Sequence, residues 1–179
     1  TGWEVNALPQ NIRACVSRKY PEWIVLISTK DRNGRQNIMP AGWSMFTSHE
    51  PLLFAVSVGG GRYTHDVIHE TGEFVIAYPK EGMGPDIVHT GTHSGPDKLK
   101  DTSFEFDAAE LVRPGLIKGA LVNLECRLHS AHLTGDHTIF VGEVVKGHYS
   151  GEPGRRLMNF GAKTYAVAQM ESGTIFRYE

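Results

Sequence analysis

Residues Gly59-Gly60-Gly61-Arg62-Tyr63-Thr64 follow an apolar run and precede a helix-like pattern, and they combine the parts of an anion site. A helix start presents unpaired N–H groups and the positive end of the peptide dipole, worth about 0.3–1 kcal/mol for a nearby anion. Glycines let backbone approach a ligand with its N–H groups aligned. Arg62 offers a planar fork matched to phosphate oxygens, and Thr64 adds a hydroxyl. Such a corner would hold a phosphomonoester; a plain β-to-α turn with a solvated arginine is the competing reading. Two phosphate motifs do not apply. No lysine follows the glycines as a P-loop requires, and Thr64 stands where GxGxxG needs its third glycine, with no βαβ unit around it.

Two further segments carry chemistry. In NIMPAGWSMF, Asn37, Trp43 and Ser44 are polar or amphipathic within a strand-like stretch, and Pro40-Ala41-Gly42 is small and leaves ladder positions open. Free backbone N–H groups beside small residues suit a flat heteroaromatic ring with carbonyl and ring-nitrogen acceptors, whereas Trp43 also reads as ordinary core. In TGDHTIFVGEV, His137 follows the tight turn Gly135-Asp136 at the start of a strand. A histidine there can donate to, or exchange a proton with, a bound redox cofactor, or it can be a turn residue satisfied by backbone. Among nine histidines, His65 and His69 stand four apart on an expected helix, as do His89 and His93. Such pairs can share a metal. There is no HExxH, however, and no carboxylate or cysteine completes a set, so surface histidines are the simpler account.

These residues need a scaffold. EWIVLIST (22–29) is short, apolar and β-branched, as a buried strand is. Asn33-Gly34 then signals a hairpin, and NIMPAGWSMFT returns, demoted by Pro40 and Gly42 to an edge, a bulge or a cavity wall. PLLFAVSV (51–58) is a strand buried on both faces or inside a barrel. After it, a helix capped by Thr64, with Asp66 in its first turn and Val67 and Ile68 inward, ends at Gly72. EFVIAYP is a strand, and a helix is expected near residues 85–90 before the loop THSGPDK. ALVNLECRLHSAH and HTIFVGEVVKGHY form a long hairpin, with Val122, Leu124, Cys126 and Leu128 on one face and Asn123, Glu125, Arg127 and His129 on the wet one. Six or seven hairpin-linked strands with two short helices argue for a mainly β fold, an antiparallel barrel with helical additions, rather than a doubly wound sheet.

The totals narrow the function. At 179 residues the chain is expected to form a single domain, 1–179, burying roughly 70% of its unfolded surface. Its net charge of −2 and lack of a basic run make nucleic acid a poor partner. No stretch nears the ~20 apolar residues of a membrane helix. The start, TGWEVN, has no signal-peptide pattern, and its missing Met suggests processing or trimming. Two distant cysteines, Cys15 and Cys126, make no CxxC and argue against a disulfide framework, so a reducing, cytoplasmic setting is expected.

In this order and spacing, NIMPAGWSMFTSHEPLLFAVSV, RYTHDVIHETGEFVIAYP, HSGPDK and GDHTIFVGEVV resemble the flavin reductase-like family of FMN-binding split-barrel proteins, which includes flavoredoxins. The likeness runs from about Pro21 to Val167. It implies an antiparallel split β-barrel, a homodimer, and FMN near the subunit boundary. By the same resemblance, Asn37, Met39, Pro40, Ala41, Gly42, Trp43 and Ser44 would line the ring and ribityl chain. Ser57, Arg62, Tyr63 and Thr64 would surround the phosphate, with Lys98 a further phosphate or ribityl contact. His137 matches the family's GDH motif near where hydride donor and flavin meet, and Phe160 and Tyr165 would reach the flavin, from this subunit or its partner. Where many members have a Ser- or Asn-rich turn this chain has Gly59-Gly60-Gly61, which leaves the cradle to backbone N–H groups and Arg62. The tail after Leu157 is closer to flavoredoxins than to short-chain flavin reductases. The implied activity is an FMN-dependent oxidoreductase fed by NAD(P)H, held transiently, or by a redox partner. The alternatives are a flavoredoxin-like electron carrier that does not oxidise NAD(P)H, a barrel that binds flavin without turnover, and a histidine-rich metal-binding module.

Overall fold

The computed structural model describes residues 9–151 and 154–167. The TGWEVN start and the chain beyond Val167 lie outside them. Among the described residues there are twelve strands and three α-helices, more than the sequence count. NIMPAGWSMFT divides at Gly42 and Trp43 into two strands, and five further strands are pieces of two or three residues that sequence patterns cannot show.

Seven strands make one antiparallel sheet: β2 (Val25–Lys30), β3 (Gln36–Ala41), β4 (Ser44–His49), β5 (Leu52–Gly59), β6 (Glu73–Tyr78), β9 (Val122–Thr134) and β10 (His137–Tyr149). Their spatial order is β3-β2-β6-β9-β10-β5-β4. The two edges, β3 and β4, are consecutive in the chain and joined only by Gly42 and Trp43. The sheet must therefore curl until its edges meet at that end, while among the described residues β3 pairs only with β2 and β4 only with β5. This is a barrel left unclosed along one seam, the split barrel that the resemblance implies. Pro40 is tolerated because β3 is an edge.

EWIVLIST is not one strand. It breaks at Ile24: β1 (Glu22–Trp23) pairs with β11 (Leu157–Asn159), which pairs with β12 (Tyr165–Val167), while β2 enters the barrel. Two cores require the break. Val25 and Ile27 join Phe54, Val56, Ile68, Phe74 and Phe140 inside the barrel. Ile24 and Leu26 pack outside with Ile38, Ile87, Ile117 and Leu157. Burial on both faces explains the near-continuous apolar run, and each such side chain contributes about 1.5–3 kcal/mol.

The β2–β3 turn is built on Gly34, at φ +83°, whose N–H donates to the Asp31 carbonyl at 3.1 Å. Helix α2 (Tyr63–Thr71) follows the glycine bend and ends at Gly72 in the left-handed region, φ +67°. Thr64 does not cap it. The N-cap is Arg62 with no side-chain cap bond, and Thr64 Oγ1 accepts from Asn37 Nδ2 at 2.9 Å. Helix α3 (Gly84–Thr92) leads into a 3-10 turn over Pro96–Asp101, which begins within the expected loop THSGPDK and runs past it.

The β9–β10 hairpin turns at Gly135-Asp136 as expected, but its wet face begins only at Arg127. Asn123 is buried on the backbone of Ile117, and Glu125 is buried under the segment before β8 (Leu116–Ile117), which pairs with β7 (Phe106–Asp107). A covering loop turned polar strand positions into interior ones.

Candidate functional site

The strand ends, the glycine bend and the C-terminal end of α3 surround a cavity of about 800 Å³ at the seam. Met39, Pro40, Ala41, Gly42 and Trp43 form one wall, Ser57 and Gly59 to Thr64 the next, and Thr90, Gly91 and His93 to Gly95 with Lys98 a third. His137 and Asp136 complete it from the hairpin turn. Gly91 allows the third wall to close: a Cβ there would stand 3.0 Å from Pro40 Cγ.

At one end the charge is positive. Arg62 is exposed, and among the described residues its guanidinium has no hydrogen-bonding partner. Lys98 is 7% exposed and donates to the carbonyls of Thr90 at 2.8 Å and His93 at 3.2 Å, which leaves one N–H uncommitted. Burial, then the nearby Arg62 charge, pushes its ammonium down to about 8. Two cations lining one cavity, one felt by the other, favour an anion there. The amides of Gly60 and Arg62 are spent on the carbonyls of Asp136 and Gly59, both at 3.0 Å. The first amides of α2, on Tyr63 and Thr64, have no intrahelical acceptor. The cradle is thus narrower than a full run of glycine N–H groups. A Cβ at Gly61 would meet nothing within 4 Å, so packing does not require glycine there.

Toward the seam the wall is aromatic. Trp43 is 40% exposed although it lines the cavity, and its ring lies 5.1 Å from that of His137. His137 Nδ1 donates to Asp136 Oδ1 at 2.7 Å, which fixes the proton on that nitrogen, while Nε2 would stand 3.5 Å from a Cβ on Gly59.

Eleven of the fifteen residues expected at the site line this cavity: Met39, Pro40, Ala41, Gly42, Trp43, Ser57, Arg62, Tyr63, Thr64, Lys98 and His137. Four do not. Asn37 is buried behind Thr64 with its Oδ1 unpartnered, and the Ser44 hydroxyl is buried without a partner while its carbonyl accepts from Trp23 Nε1. Phe160 lies exposed in the turn between β11 and β12, and Tyr165 packs on the outer core. The sequence reading missed the wall from helix α1 (Gln10–Val16) and the residues after it, including Lys19, Tyr20 and Glu22. Only the three-residue spacing of Lys19 and Glu22, paired at 2.5 Å, hinted at it. His93, another omission, donates from Nδ1 to the His89 carbonyl at 3.0 Å.

The histidine pairs form no metal centre among the described residues. His65 bonds Thr138 and Asp66, and His89 and His93 stack at 4.2 Å. Cys15 is exposed and Cys126 buried, and both are free.

The model of the flavin reductase-like domain matches residues 17–168. The chain belongs to the flavin reductase-like family. An uncharacterised protein of Archaeoglobus fulgidus is 40% identical over 113 residues, 62% of this chain and 64% of that relative. The chain therefore spans less than two thirds of that relative's length. The NADH-dependent flavin reductase of a Rhodococcus species is 27% identical over 151 residues, 81% of this chain and 80% of its own. Among solved structures, the flavoredoxin of Methanosarcina acetivorans superposes with a TM-score of 0.75 at 26% identity, covering 87% of this chain and 89% of that one. The family's barrel and the cavity coincide with the segments that carried the resemblance. The residues fit a flavin nucleotide: a cationic, glycine-bounded end for a phosphate and an aromatic, small-residue wall for a planar ring.

Proposed function

We propose that this chain is an FMN-dependent oxidoreductase that takes electrons from NAD(P)H, held transiently, and passes them to a small molecule or a protein partner. One observation carries the reading: a single cavity joins the Arg62–Lys98 cation pair to the Trp43–His137 wall. Bound FMN would supply the electron chemistry, accepting a hydride equivalent and releasing electrons singly or in pairs. Arg62 and Lys98 hold the phosphate. Met39 to Trp43 would flank the ring, and His137, oriented by Asp136 through Nδ1, would present its Nε2 as a hydrogen-bond acceptor beside the open side where the nicotinamide would stack. The name of the Rhodococcus relative supports NADH as donor.

The proposal includes a homodimer in a reducing compartment. Met45, Phe46 and Leu52, on β4 and β5 beside the site, are 58, 43 and 36% exposed, an apolar edge suited to a second copy. Light scattering giving twice the chain mass supports this, and a monomer refutes it.

Stopped-flow spectroscopy tests the activity. The chain loaded with FMN should bleach in the flavin band when mixed with NADH or NADPH. Bleaching by dithionite but by neither nucleotide would replace the reductase with an electron carrier. No uptake of FMN would remove the assignment.

A further inference from the structure

The bend that carries the anion end of the cavity is tied by backbone bonds from Gly60 to Asp136 and from Arg62 to Gly59, and has few side chains to hold it further. It is three glycines long, without side chains to pack, and glycine loses more conformational freedom on ordering than any other residue. Side-chain bracing comes from the β2–β3 hairpin, which reaches the first two residues of α2 by one hydrogen bond each. Tyr63 Oη donates to Asp31 Oδ2 at 2.8 Å, and Asn37 Nδ2 donates to Thr64 Oγ1 at 2.9 Å. Asp31 is 4% and Asn37 1% exposed, and neither lines the cavity. Asp31 is itself fixed, accepting from the Arg35 backbone N–H and from Arg35 Nε, both at 2.8 Å. Arg35 Nη2 in turn approaches Tyr63 Oη at 3.4 Å, so that hydroxyl both donates and accepts and has one orientation. Tyr63 and Thr64 follow Arg62 directly, so fixing them fixes where Arg62 leaves the backbone.

We infer that Asp31 and Asn37 are positioning residues for the phosphate end of the flavin site, setting Arg62, Tyr63 and Thr64 without touching the ligand. The inference rests on the FMN reading above. It makes a prediction opposite in sign to simple electrostatics. A carboxylate near a phosphate repels it, so removing the charge of Asp31 should tighten FMN binding if charge were its only role. As a brace, its loss should weaken binding.

The test is a titration of FMN and of riboflavin, which lacks the phosphate, into the wild-type chain, Asp31→Asn, Tyr63→Phe, the double variant and Arg62→Ala, followed by flavin fluorescence. Asp31→Asn and Tyr63→Phe should each weaken FMN about tenfold and riboflavin less than about twofold, the scale of a lost hydrogen bond to a charged group. Because both break one bond, the double variant should be no worse than the poorer single one. Unchanged or tighter FMN binding in Asp31→Asn, equal weakening of both flavins, or additive losses would each overturn the inference. If Asp31→Asn does not fold, Tyr63→Phe decides by the FMN-to-riboflavin ratio alone. Arg62→Ala separates the two levels. If it weakens FMN while the brace variants do not, only the inference fails; if it leaves FMN affinity unchanged, the phosphate reading fails and the inference with it.

Discussion

Lys98 and Arg62 place two positive groups at one end of the same cavity, and the ammonium of Lys98 is held there by the carbonyls of Thr90 and His93. An ammonium lowered first by burial and then by a neighbouring cation is stabilised by an added anion. The consequences can be measured.

Affinity for FMN should depend on pH through Lys98, whose ammonium lies at about 8 without ligand. Only the protonated form attracts phosphate, and a bound phosphate raises its pKa. Binding is then full below pH 8 and weakens as pH rises through and above it, with proton uptake on binding in that window. Isothermal titration between pH 7 and 9.5 in buffers of different ionisation enthalpy checks both signs. Lys98→Met should flatten the profile.

Removing Arg62 should weaken FMN by roughly tenfold to a hundredfold and riboflavin hardly at all, since a charge-assisted bond to phosphate is lost and the ring wall is untouched. The loss should shrink as salt is raised, because Arg62 is exposed. Fluorescence quenching at several salt concentrations reads it.

Glu125 is fully buried and accepts from the backbone N–H groups of Glu110, Leu111 and Val112 at 3.0, 2.7 and 3.0 Å, and from His148 Nε2 at 2.6 Å. Burial pushes its carboxyl up, but these donors outweigh that and hold it below its ordinary value. Stability from this group is therefore present above the unfolded carboxyl value of about 4.3 and is lost as pH falls through the lower folded one. Glu125→Ala should cost about 3 kcal/mol or more by stranding three amides and a histidine. Denaturant melts at pH 7 give the cost, and melts down to pH 3 should show a shallower acid loss in Glu125→Gln than in the wild type.

A methyl group at Gly142 would lie 2.4 Å from Phe74 Cζ and 2.9 Å from Cys126 Cβ, inside the barrel core. Gly142→Ala should therefore lose about 1–3 kcal/mol by overpacking, visible as a lower melting temperature, and Phe74→Leu in the same chain should recover part of it. Gly61→Ala, where nothing lies within 4 Å, should melt close to wild type.

Much of this was legible in the chain. Gly72 ended its helix, Gly135-Asp136 turned the long hairpin, and the apolar, β-branched run in residues 22–29 announced a buried strand. These are local matters: backbone dihedral freedom, alternation and β-branching act within a few residues. The glycine bend, Arg62 and the small-residue wall were likewise visible, because the residue types that let a ligand come close are also those that interrupt regular structure.

Which residues face the cavity, and which stand behind it, was decided only by the fold. Asn37 and Thr64 are 27 positions apart, and nothing near either shows that one hydrogen-bonds the other. Glu125 reads as solvent-facing by alternation, yet a loop from Glu110 to Val112 covers it and donates three amides. The wall near Lys19 and Glu22 closes on Gly42 across the barrel seam, where a Cβ would lie 2.4 Å from Glu22 Oε1. Periodicity assigns a side chain to a face, but what lies against that face depends on contacts between distant segments, whose gain must exceed the entropy of closing long loops.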